Sequence, residues 1–153
     1  MINGMPLHPM IVHFPVALLL VGVLIQILAI WRPEPLDRAA TYLFAGGVVT
    51  GIAAYLTGDA GEEYAEQFIG GNLESMIEPH ENLALASLIL FGIIVVIKLL
   101  PQLQKLRKTL LPLILIASLV GGGMIAYTGH LGGKIVYQGT TPQQTVGGDN
   151  DND

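Results

Sequence analysis

Four apolar runs dominate this chain, at residues 10–31, 39–56, 83–100 and 110–128. Each approaches the roughly 20 residues that a helix needs to cross about 30 Å of hydrocarbon. Inside lipid every backbone N–H and C=O must find a partner within the protein, and a helix does this within its own segment. The runs therefore predict an all-α integral membrane protein. The connections after the first and third runs are short, one built on Arg32-Pro33-Glu34-Pro35 and the other over residues 101–108. Short connections make neighbours antiparallel, so the expected architecture is an up-down-up-down four-helix bundle over residues 1–137. Residues 138–153 are polar and low in complexity; they bury too little apolar area to fold and are expected to form a disordered tail.

Composition supports this reading and removes several function classes. Of 153 residues, 52% are hydrophobic and 12% charged, and none is cysteine. Without thiols there are no disulfides, thiolate metal sites, cysteine-ligated iron–sulfur clusters or covalently attached c-type haem. No serine stands in a nucleophile motif beside a histidine, which disfavours a hydrolase. No charge lies in the middle of a run, which disfavours ion transport. The N-terminus carries no basic region and no small-residue cleavage site follows the first run, so that run is expected to be a retained helix. An acidic chain of this kind is expected to meet lipid, and no nucleic acid.

Charge is distributed by side. Arg32, Arg38, Lys98, Lys105, Arg107 and Lys108 fall at the ends of the first and third runs or in the connections that follow, whereas Lys134 is the only base at the opposite end. By the positive-inside rule the basic end faces the cytoplasm, which predicts an inner-membrane protein with both termini outside. The outer connection from Asp59 to Glu81 holds seven carboxylates. Tyr64, Phe68, Leu73, Met76 and Ile77 within it are spaced for a short amphipathic helix over the bundle mouth.

All four histidines fall at that outer end. His8 and His13 open the first run, His80 opens the third and His130 closes the fourth. Imidazole is costly near lipid and is the usual ligand of haem and transition metals, so its confinement to one membrane face predicts a cofactor or metal site there. His13, about one turn into the first helix, is expected to be the deepest, and His8 to be the one on the surface. Glu81 beside His80 can orient an imidazole or simply favour the helix N-terminus. Asp59, at the end of the second helix, is the best carboxylate partner for an imidazole.

The two halves repeat weakly. Ala54-Tyr55-Leu56-Thr57-Gly58-Asp59 resembles Ala126-Tyr127-Thr128-Gly129-His130, and His13 and His80 each lead into an Ala/Leu-rich run. This predicts two helical hairpins about a pseudo-two-fold axis along the membrane normal, with His13 facing His80 and Asp59 facing His130. Gly46, Gly47 and Gly51 in the second run and Gly121, Gly122 and Gly123 in the fourth mark where helices approach closely, and they could equally make room for a porphyrin.

At Leu7-His8-Pro9-Met10-Ile11-Val12-His13-Phe14-Pro15, Thr57-Gly58-Asp59, His80-Glu81 and Gly129-His130-Leu131-Gly132-Gly133, the chain resembles the bacterial membrane-protein family known as domain of unknown function 2231. The resemblance covers residues 5–137 and carries no activity with it. Relatives of this type joined to Rieske or c-type cytochrome domains imply a place near electron transfer, which in this chain would need a separate periplasmic or membrane redox partner.

Three functions follow as expectations. The first is an electron-transfer subunit holding b-type haem, with His13 and His80 as axial ligands and His130 as an alternative or as the second-haem partner of His8. The second is a zinc, copper or iron site built from His13, His80 and His130 with Asp59 or Glu81. The third is a structural subunit of a larger membrane complex or oligomer. Each is a binding or redox role more than that of a stand-alone enzyme.

Overall fold

A computed structural model describes residues 8–59, 61–63, 74–100 and 107–139, and every element among them is a helix. In chain order these are α1 (His8–Ile11), α2 (His13–Leu28), α3 (Pro33–Tyr55), α4 (Glu74–Leu99) and α5 (Arg107–Gly139). The expected amphipathic helix over Tyr64, Phe68 and Leu73 lies outside the described residues, as does the tail from residue 140 onward; α5 itself runs through residues 138 and 139.

Local chemistry sets the element boundaries. Pro15 has no N–H to give to the carbonyl of Ile11, which breaks the hydrogen-bond ladder between α1 and α2. Val12 nonetheless keeps helical dihedrals, and its N–H and C=O bond His8 and Val16, so the two pieces continue as one rod. At the start of α3, Pro33 takes a first-turn position where its missing N–H costs nothing, and Glu34 sits against the positive helix end. The same helix closes on Leu56, which bonds the carbonyl of Ile52, and on Thr57, which bonds that of Ala54.

Pairings at both ends fix the direction of each helix. His8 at the start of α1 touches the end of α3, while Gln26 near the end of α2 bonds Asp37 near the start of α3. His80 in the first part of α4 touches Thr128, past the middle of α5. The α2 helix packs on α3 and α5, and α4 packs on α5 and α3, which closes a ring of contacts around one core. Leu19, Val23, Ala40, Phe44, Phe91, Ile94, Ile114 and Ile125 form that core. Phe44 and Phe91 meet at its centre with ring centroids 5.1 Å apart.

Among the described residues three helical stretches are long and apolar enough to cross a membrane: His8–Leu28, Ser75–Leu99 and Thr109–Ile135. The fourth expected span, at residues 39–56, is not among them. Its helix α3 has 23 residues, which is length enough, but Asp37, Arg38, Thr41, Tyr42 and three glycines dilute its hydropathy. Those residues have a use inside the fold. Asp37, Thr41, Gly47 and Gly51 all point inward and are buried.

The two halves do repeat, in a register that differs from the expected one. Pro15, Leu19, Gly22 and Gln26 mark the inward face of α2. The residues 72 positions later, Ser87, Phe91, Ile94 and Lys98, mark the inward face of α4. Between α3 and α5 the equivalence is 74 positions: Ala40, Phe44, Gly47 and Ala54 match Ile114, Ser118, Gly121 and Thr128, all buried. The equivalent of His80 is therefore His8. His13 lies two residues from the inward Pro15, about 200° around the helix, and its side chain is exposed. The expectation that His13 is the deepest imidazole, facing His80, is corrected on this point.

Candidate cofactor site at the histidine end

His8 opens the first helix and His80 stands nearly two turns into α4, each seven residues before an inward-facing position, Pro15 and Ser87. Seven residues is close to two full turns, so both imidazoles fall on the inner side. Both are half-buried.

The two rings are held in the same way. His8 Nδ1 lies 3.0 Å from the carbonyl oxygen of Ala54 and 3.3 Å from Thr57 Oγ1. His80 Nδ1 lies 3.0 Å from the carbonyl oxygen of Thr128. A carbonyl only accepts, so in each bond Nδ1 must carry the hydrogen. The Thr57 hydroxyl gives its own hydrogen to Ala54 at 2.7 Å, which leaves its lone pairs for His8. Ala54 and Thr128 are equivalent positions of the two hairpins, so one contact has been made twice. With Nδ1–H fixed, the neutral ring has its lone pair on Nε2. Among the described residues nothing is hydrogen-bonded to Nε2 of either histidine.

Two glycines let the rings sit where they do. A Cβ on Gly61 would stand 3.1 Å from His8 Cβ, and one on Gly132 would stand 3.2 Å from His80 Cε1. Larger residues at either point would displace an imidazole. His8 and Glu81 are both within electrostatic reach of His80, and Glu81 also extends to the end of the first hairpin, where its Oε1 lies 3.6 Å from the Cβ position of Gly58.

The remaining candidates stand apart from this pair. His130 is exposed and stacks on Tyr127, with centroids 5.9 Å apart. Asp59 is exposed, and among the described residues it makes no bond to His130, contrary to the expected pairing. Nor do three histidine, aspartate or glutamate side chains gather anywhere among the described residues to hold a bare ion. The expected metal set of His13, His80, His130, Asp59 and Glu81 is thus not assembled, because His13 and His130 face outward. The assignment of His8 to the surface is likewise corrected.

A second polar cluster lies at the opposite end of the fold. Lys98 Nζ is 2.9 Å from Asp37 Oδ1, and the two side chains are only 3% and 5% exposed. Gln26 ties both together: its Nε2 donates to Asp37 Oδ1 at 3.0 Å, and its Oε1 accepts from Lys98. The Lys98 ammonium also lies over the ring of Phe44, 5.4 Å from the centroid. Read by position along the chain, Lys98 and Asp37 belong with the charges of the basic membrane face. Their helical phase carries the signal that finds them, since Gln26 follows Leu19, and Lys98 follows Phe91, by seven residues on the inward stripe.

A family model described as predicted membrane protein (DUF2231) matches residues 4–144. No curated protein and no solved structure matches the chain.

Proposed function

The chain belongs to the DUF2231 family of predicted membrane proteins, and we propose that it is a membrane electron-transfer subunit that holds a b-type haem between its two hairpins. In this reading α3 is the fourth span of an antiparallel bundle in the inner membrane. The basic end faces the cytoplasm, and the histidine end faces outward.

The duplicated Nδ1–H···O=C contact of His8 and His80 carries the reading. An imidazole that donates from Nδ1 to a backbone carbonyl is fixed in tautomer and orientation, and its Nε2 is a better ligand for it. Two such nitrogens, one from each hairpin, suit an iron that already has four equatorial donors from a porphyrin. A bare zinc, copper or iron ion instead needs three or four protein ligands at one point. His8 and His80 would hold the haem iron through Nε2; His13 and His130 face outward and would not. Bound haem would supply one-electron transfer, with a separate membrane or periplasmic protein as redox partner. The chain's own contribution is to orient the two imidazoles and to place Glu81 beside them.

Absorption spectra and metal analysis of the same purified sample, from cells supplied with haem, test this. The expected result is a low-spin b-type spectrum with one iron or less per chain, lost in His8→Ala and His80→Ala and retained in His13→Ala and His130→Ala. Protein without a Soret band refutes haem binding. A stoichiometric non-haem ion in its place would support the bare-metal reading.

A further inference from the structure

The Gln26–Asp37–Lys98 cluster has no part in the proposed function, and in it the two hairpins differ in charge along their contact. Gln26 and Lys98 are equivalent positions, 72 residues apart, and they touch each other. Residues related by a pseudo-two-fold that touch must lie close to its axis. Asp37 has Leu111 as its equivalent, 74 residues later. One hairpin therefore brings a carboxylate and an amide to the axis, and the other brings an ammonium and an aliphatic side chain.

Within each hairpin the packing is alike: Gly47 receives Leu19 as its equivalent Gly121 receives Phe91, and each half has a histidine bonded to a backbone carbonyl of its neighbouring helix. Across the contact the apolar positions differ in size, Phe44 being equivalent to Ser118, and Gly51, which receives Leu88, to Ile125. Charge adds a stronger discrimination between first-with-second pairing in one chain and like-with-like pairing between two chains. Two first hairpins would bury two Asp37 carboxylates with two amides, and two second hairpins would bury two Lys98 ammoniums with no carboxylate from Asp37. Charges taken out of water without a partner of opposite sign are among the costliest groups in a fold, and more so at membrane depth. Only the observed pairing puts Lys98 against Asp37.

We infer that this cluster selects the pairing of the hairpins, directing the first hairpin onto the second of its own chain and away from the first hairpin of another copy. The inference rests on the packing of the helices and is independent of any haem.

The test co-expresses two copies of the full chain with different affinity tags, and a linked dimer is read as one tag recovered on the other after purification in detergent. With the native cluster, that recovery sets the background. Lys98→Gln, and Asp37→Asn combined with Lys98→Gln, should convert a substantial fraction of the chain to linked dimer. The exchange Asp37→Lys with Lys98→Asp should return linkage to background. If Lys98→Gln fails to accumulate, the doubly neutral variant, which buries no unpaired charge, decides. A monomeric doubly neutral variant, or an exchange variant that links as readily as Lys98→Gln, overturns the inference.

Discussion

Replacing Gly47 with alanine asks how tightly the helices of one hairpin must close. An added Cβ would stand 2.5 Å from Cδ2 and 2.6 Å from Cγ of Leu19. Carbons in contact settle at roughly 3.5–4.0 Å, so Leu19 has to retreat by about 1 Å. It has little room, being fully buried in the core. Its backbone nitrogen is already 3.4 Å from the same point, so the α2 backbone is near as well. Overpacking of this kind costs about 1–3 kcal/mol, while removing a glycine from a helix interior returns roughly 1 kcal/mol. The balance is a loss of about 1 kcal/mol. Gly123→Ala supplies the contrast, because nothing lies within 4 Å of its Cβ position and only the propensity gain remains. The two variants should differ by about 2 kcal/mol in reversible unfolding of the full chain in mixed micelles, followed by circular dichroism. If Gly47→Ala unfolds at or above the denaturant midpoint of Gly123→Ala, the close approach of α2 and α3 does not limit stability and the reasoning fails.

Other substitutions address the two ends. Gly121→Ala should destabilise like Gly47→Ala, since its Cβ would meet Phe91 at 2.8 and 2.9 Å and Phe91 is backed by Phe44; the same micelle titration measures it. Gln26→Leu removes hydrogen bonds to both buried charges without removing either charge, and should lower stability by about 1.5–3 kcal/mol for each bond lost. Gly132→Leu should push the His80 ring aside and cut haem content to less than half, read from the Soret absorbance per protein, with helix content unchanged. For orientation, a cysteine replacing the exposed Glu63 should react with an impermeant thiol reagent in intact cells. One replacing the exposed Arg32 should react only after permeabilisation; the reverse pattern would invert the topology.

The helical class and the membrane character were legible because apolar runs of spanning length admit few other structures. The weakness of α3 as a span was also written in its threonines and glycines, but their inward direction depends on neighbours that a single run does not reveal. At the histidine end, the sequence placed four imidazoles at one end of the helices, and the structure turns His8, not His13, to the inner side with His80. Depth along a helix was taken as the guide, which favours His13. Rotation about the helix decides instead, and it favours His8, in phase with Pro15, Leu19 and Gln26. The match of Ala54-Tyr55 to Ala126-Tyr127 misled by two residues, for it aligned identical letters on opposite faces, and the buried equivalent of Ala54 is Thr128. The ion pair escaped notice because a lysine near a helix end reads as a snorkelling cation until a carboxylate on another helix is seen to meet it.

Each hairpin contributes one imidazole at one end and one side of the ion pair at the other, and the helices between are continuous rods. Movement of one hairpin against the other cannot then be confined to a single membrane surface. A slide of one helical turn, about 5.4 Å, would draw Lys98 away from Asp37 and shift His80 relative to His8 in the same stroke. Whatever grips the two imidazoles would also brace the buried charges, and a disturbance of those charges at the basic end would change the spacing of the imidazoles at the far end.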